Sequence, residues 1–291
     1  MTTSPLNPNL RGTITLLTST LHDLGRDLPE ALTAAIAEAD AAAQVPRDLM
    51  PDPERAAQRW FELRRAGEDP INDPEIADLL TRNWQTIGSV EDHLRRFADD
   101  HKAAAVADAA GDIVEALREV VAEAQEPITE AQDAIGDRIT RADTGGLSPD
   151  GARQHARARE AFSRVDLARR AWVLLAKHTG AATWRPETAE ELLILSDLDL
   201  DAMFAIDQRV RRAKRDPGTA PRVEAYDART IVAAGHPLDL ATFEEFRTRL
   251  ATVTAQAQRE RDADARKRSP REHDGIDPVG TPVRAWVDAT Y

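Results

Sequence analysis

The chain has 291 residues, a formal net charge of −13, no cysteine and only 4% aromatic residues. Without cysteine it has no disulfide, thiol nucleophile or thiolate metal site, and no apolar run reaches the length of a membrane span. Nucleic acid is a disfavoured partner, because an acidic surface is repelled by phosphates. Arg outnumbers Lys 34 to 4, which coding bias explains more simply than phosphate binding. The charge is uneven. Residues 1–150 carry 14 basic and 29 acidic side chains, residues 151–291 carry 24 and 22. Acidic and basic parts are therefore expected to pair, within a chain or between copies.

Alanine is abundant and β-branched runs are scarce. The expected fold is all-α: an elongated multi-helix bundle around a long central helix, or a Pro-kinked helix pair, with an extended C-terminal tail. Three regions follow: an acidic helical region at 1–147, a helical region with basic helices at 148–268, and a Pro-containing tail at 269–291. The first residues lack a basic and an apolar segment, so a signal peptide is not expected and a soluble, cytoplasmic chain is.

Leu10, Ile14, Leu17, Leu21 and Leu24 mark a first helical face, ended by Gly25. Asp27, with Glu30 three residues on, predicts the cap of a second helix burying Leu28, Leu32, Ile36 and Ala39. Asp52-Pro53-Glu54 to Gly67 and Asp73-Pro74-Glu75 to Gly88 read as two short helices with the same capping chemistry. Trp60, Phe61, Trp84 and Ile87 would pack them against the long helix.

That helix is expected over 89–142, capped by Ser89. Its stripe is Val90, Leu94, Phe97, His101, Ala105, Ala109, Ile113, Leu117, Val120, Ala124, Ile128, Ala131, Ile135 and Ile139. The spacing of about 3.8 residues is too long for a left-handed coiled coil and predicts a straight helix. Pro127 should kink it, or end one helix and start the next. An acidic row lies one residue before the stripe, from Asp108 through Asp112, Glu115, Glu119, Glu123, Glu126, Glu130 and Asp133 to Asp137. Like charges at this spacing repel by a few tenths of a kcal/mol per pair, so a basic neighbour is expected. Ser148-Pro149 starts an arginine-rich helix ending near Gly180, with Phe162, Val165, Trp172 and Leu175 inward. A hairpin at Gly145–Gly146 would bring its Arg157 and Arg159 to Glu130 and Asp133.

Thr188/Glu191 predicts a short helix to Leu195. Asp199 or Asp201 starts another with Met203, Phe204 and Val210 inward. A further helix is expected over 223–235. Asp239 should cap the last one, with Leu240, Phe243, Phe246, Leu250 and Val253 inward. Beyond Ala257 this helix becomes fully charged. In the tail, Pro270, Pro278 and Pro282 exclude a continuous helix. Such a tail docks on its own body or on a partner, and Val283, Trp286, Val287 and Tyr291 are candidate partner-binding anchors, because exposed aromatic residues commonly form interface hot spots.

Sites for chemistry are few. There is no Gly-rich phosphate loop and no HExxH. Asp197, Asp199 and Asp201 imitate a calcium loop, but Ala202 stands where glycine is needed and Gln208 where a bidentate glutamate is needed. Helix capping explains these aspartates better, and no metal or cofactor is expected. Glu187-x-x-Glu190 and Glu224-x-x-Asp227 resemble the paired acidic motifs of all-α NTP pyrophosphatases of the MazG type. That resemblance implies magnesium held against a triphosphate. Residues 188–214 have the outline of a helix-turn-helix, but Asp199 and Asp201 lie where base-contacting residues belong. The reading most consistent with these features is a non-catalytic structural or assembly protein, scaffold- or chaperone-like. In physical type, though by no motif, it is similar to helical virion-assembly proteins of bacteria and their phages. Its partner would be another protein or a second copy.

Overall fold

The computed structural model describes residues 10–43, 59, 62–63, 66, 68–69, 73–74, 84–140, 144–184, 188–215 and 226–268. Among these the chain is helical and contains no strand. The helices are α1 Leu10–Asp23, α2 Glu30–Ala42, α3 Trp84–Asp108, α4 Ala110–Ile135, α5 Pro149–Thr179, α6 Leu200–Arg215, α7 Ala228–Ala233 and α8 Phe243–Arg268. Two 3-10 segments, Gly136–Thr140 and Ala189–Ile194, join them. The chain divides into two compact units: residues 1–16 with 28–110, and residues 17–27 with 111–291.

In the first unit α2 packs along α3, burying Leu32, Ala39, Ala98 and Val106, while Lys102 reaches Asp40. Ala98, not Phe97, is the buried position here, and Phe97 is 66% exposed. A step of 3.8 residues leaves either register open, and packing against α2 selects the smaller residue. α2 starts after Pro29, not at Asp27, since proline leaves the helix start no amide to satisfy there. Gly88 and Ser89 lie inside α3. A glycine stops a helix only where the chain turns left-handed, and otherwise it costs about 1 kcal/mol. Leu63 is buried, and Arg59 pairs with Asp73 at 2.8 Å. Trp60, Phe61 and the side chains of Trp84 and Ile87 lie outside the described residues.

The expected long helical stretch is present as α3 and α4, separated by a single turn residue at Ala109, and Pro127 does not end α4. The Ala109 amide still donates to Ala105 O at 3.0 Å. Pro127 sits inside α4 at an intrinsic cost of about 3 kcal/mol. Val120, Val121, Ala124, Ile128 and Ala131 are buried on both sides of it. Burying one Val or Ile side chain contributes about 1.5–3 kcal/mol, so packing outweighs the lost hydrogen bond.

In the second unit, Ser148 Oγ accepts from Gly151 N at 3.1 Å to cap α5, with Pro149 in its first turn. Gly180 ends α5 at φ 64°. Trp172, fully buried, is the centre of the core. Its ring meets Phe243 and Phe246 at 5.1 Å and Trp184 at 5.6 Å. Its indole N–H donates to Ala241 O at 2.7 Å. The loop before α8 is laced to the 3-10 segment: Asp239 N donates to Leu195 O at 2.7 Å and Ala241 N to Ile194 O at 2.8 Å. The segment after Thr188 is 3-10 rather than α, and Ala189 and Leu192 through Leu195 are buried. α8 is capped by a reciprocal box of Thr242 and Glu245 (2.7 and 3.1 Å), not by Asp239.

Candidate functional site

The α4–α5 hairpin joins the acidic row of α4 to an arginine of α5 at Glu123. A Cβ on Gly151 would lie 3.1 Å from Ile135 Cγ2, so the two helices come close at the hairpin base. Further along, Arg164 donates to Glu123 at 2.9 Å. Arg26 donates to the same carboxylate at 2.6 Å and lies 3.4 Å from Glu119. Hydrogen bonds from Arg26 first and Arg164 second hold the Glu123 carboxyl below the usual range. Glu130 lies two turns beyond Glu123 and Arg157 two turns before Arg164, so the same register sets them opposite each other. Among the described residues no ion pair within 4.0 Å joins Glu130 or Asp133 to Arg157 or Arg159, and all four are exposed. Glu126, Glu130 and Asp133 on α4 and Asp137 on the 3-10 segment that follows it thus form an exposed acidic row, with Arg157 and Arg159 exposed on α5.

Two polar clusters are internal. Arg249, 8% exposed, donates to Leu193 O and Asp239 O at 3.1 Å each and to the Asp239 carboxylate. Arg118 joins this cluster from α4, 3.5 Å from Glu245. The backbone hydrogen bond from Thr242 holds the Glu245 carboxyl below its usual range. In the second cluster, Asp207 is buried on α6, accepting from Tyr226 Oη at 2.5 Å and Arg211 Nε at 2.7 Å. Burial, then the bond to Asp207, pushes the Tyr226 phenol up to about 12.

The motif candidates have structural roles. Asp199 Oδ1 accepts from Ala202 N at 2.8 Å, a helix cap. Asp227 caps α7 through Thr230. Glu191 pairs with Arg169 at 2.9 Å. On α6, Arg209 donates to Ala233 O and Arg211 is held by Asp207. Glu187 and Glu224 lie outside the described residues, as do Val283, Trp286, Val287 and Tyr291. Among the described residues no cluster of three or more His, Asp or Glu is arranged to hold a metal, and no helix is long and apolar enough to cross a membrane.

One concavity was not foreseen. A groove of about 690 Å³ runs between residues 180–183 and the outer face of α8, where Leu250, Ala251, Thr254 and Ala255 lie. Comparison of the chain with protein-family models, curated proteins and solved structures returns no match.

Proposed function

We propose that this is a non-catalytic helical assembly protein, scaffold- or chaperone-like, acting in the cytoplasm through contacts with another protein or with further copies of itself. The segregated charge on the α4–α5 hairpin supports the reading. Four exposed carboxylates follow one another at i, i+3 and i+4 spacing, beside two exposed arginines on the paired helix. Such a row is a standing repulsive cost for an isolated chain. An acidic row beside an exposed arginine on the adjoining helix is complementary to the same arrangement on a second copy related by a two-fold axis. Virion or other macromolecular assembly is the setting in which such an isologous contact would be used.

Charge reversal tests this. Glu126→Lys with Glu130→Lys should abolish self-association measured by sedimentation velocity, and so should Arg157→Glu with Arg159→Glu. An equimolar mixture of the two variants should restore it. Variants that assemble like the parent would remove the basis of the proposal.

A further inference from the structure

We propose that the groove on α8 is the seat of the chain's own C-terminal segment, with Trp286 and Tyr291 as its anchors. The groove floor is built from small side chains. Ala251, Thr254 and Ala255 are exposed on successive turns, with Leu250 half-buried beside them and Ala182 buried on the facing wall. Small residues at i, i+3 and i+4 leave a furrow about one side chain deep, which suits bulky apolar anchors. The helix offers no comparable surface further on, because Arg259–Arg268 is almost entirely charged.

The complementary anchors are in the same chain. Val283, Trp286, Val287 and Tyr291 stand at i, i+3, i+4 and i+8 in the sequence, so the apolar anchors recur at a regular spacing. The connection is long enough. Ala255 lies 13 residues before Arg268, about 20 Å along α8. Residues 269–282 can span about 46 Å when extended. A tethered segment of this length meets its own groove at an effective concentration of about a millimolar, above that of a second copy in micromolar solution. The occupant is therefore the tail of the same molecule.

The chain has no cysteine, so Ala255→Cys with Thr290→Cys introduces the only two thiols. Ala255 is exposed, and this exchange leaves the core unchanged. Mild oxidation of the full chain should give an internally cross-linked monomer. Formation should be at least about tenfold faster than for the control pair Thr252→Cys with Thr290→Cys, whose first thiol lies on an exposed turn outside the groove. Adding Trp286→Ala to the first pair should erase that difference. Cross-linked dimers as the main product would overturn the proposal in favour of a second copy's tail. Equal rates at positions 255 and 252 would overturn it by showing that the tail has no seat. Neither result bears on the charge-row contact, which is read separately by charge reversal.

Discussion

Arg249 tests how the second unit is held together. The guanidinium is buried on the inward face of α8 and bonds two backbone carbonyls, Leu193 O and Asp239 O, as well as the Asp239 carboxylate. Asp239 is about half exposed, at 49%. An ion pair to so exposed a carboxylate contributes at most about 1 kcal/mol. A buried carbonyl left without a donor costs about 1–3 kcal/mol. Arg249→Met keeps most of the aliphatic stem but strands both carbonyls, so it should cost about 2–5 kcal/mol. Arg249→Lys should fall between it and the parent, because one ammonium cannot reproduce the planar fork. Asp239→Asn should cost less than about 1 kcal/mol. Urea titrations followed by circular dichroism and tryptophan fluorescence would give the ranking. If Asp239→Asn proved as damaging as Arg249→Met, the ion pair and not the carbonyls would hold the loop, and the reasoning would fail.

Three further outcomes are expected. Trp172→Ala should cost about 3–5 kcal/mol in the same titration, and Trp172→Phe about 1–3 kcal/mol, because Ala241 O loses its donor. Ser148→Ala should cost about 1 kcal/mol by loss of the α5 cap, and Ser148→Asp should be close to neutral. The Tyr226 phenol is raised from 10 to about 12. Its contribution to stability is therefore complete below pH 10, the ordinary value, and is lost as pH rises through about 12. Ultraviolet titration of the parent against Tyr226→Phe should show one phenol ionising late, and a difference spectrum centred at 10 would refute the buried bond to Asp207.

Helix ends were legible where a local rule had no competitor. Ser148-Pro149 and Gly180 bound α5 as their chemistry requires, and Gly25, at φ 70°, follows α1. Where two local signals competed, distant residues decided. Asp239 and Thr242 are both sound caps, but Asp239 is claimed by Arg249, so Thr242 with Glu245 caps α8. The box Thr242-x-x-Glu245 was visible in the sequence. Arg249 was readable only by position: it falls between Phe246 and Val253 on the inward face, where arginine is seldom buried unless paired. The register of α3 and the survival of α4 through Pro127 depend on what packs alongside, which periodicity does not report. The α8 groove left no sequence signal, since Ala and Thr on an exposed face look the same whether the surface is flat or hollow.

The central claim is that complementary charge brings copies or partners together. Light scattering coupled to size exclusion, at low and at high salt, tests it most directly. The screening length falls from about 30 Å at 0.01 M to about 3 Å at 1 M ionic strength. The account predicts an oligomer at low salt that dissociates at high salt. A monomer whose mass is the same in both would contradict it.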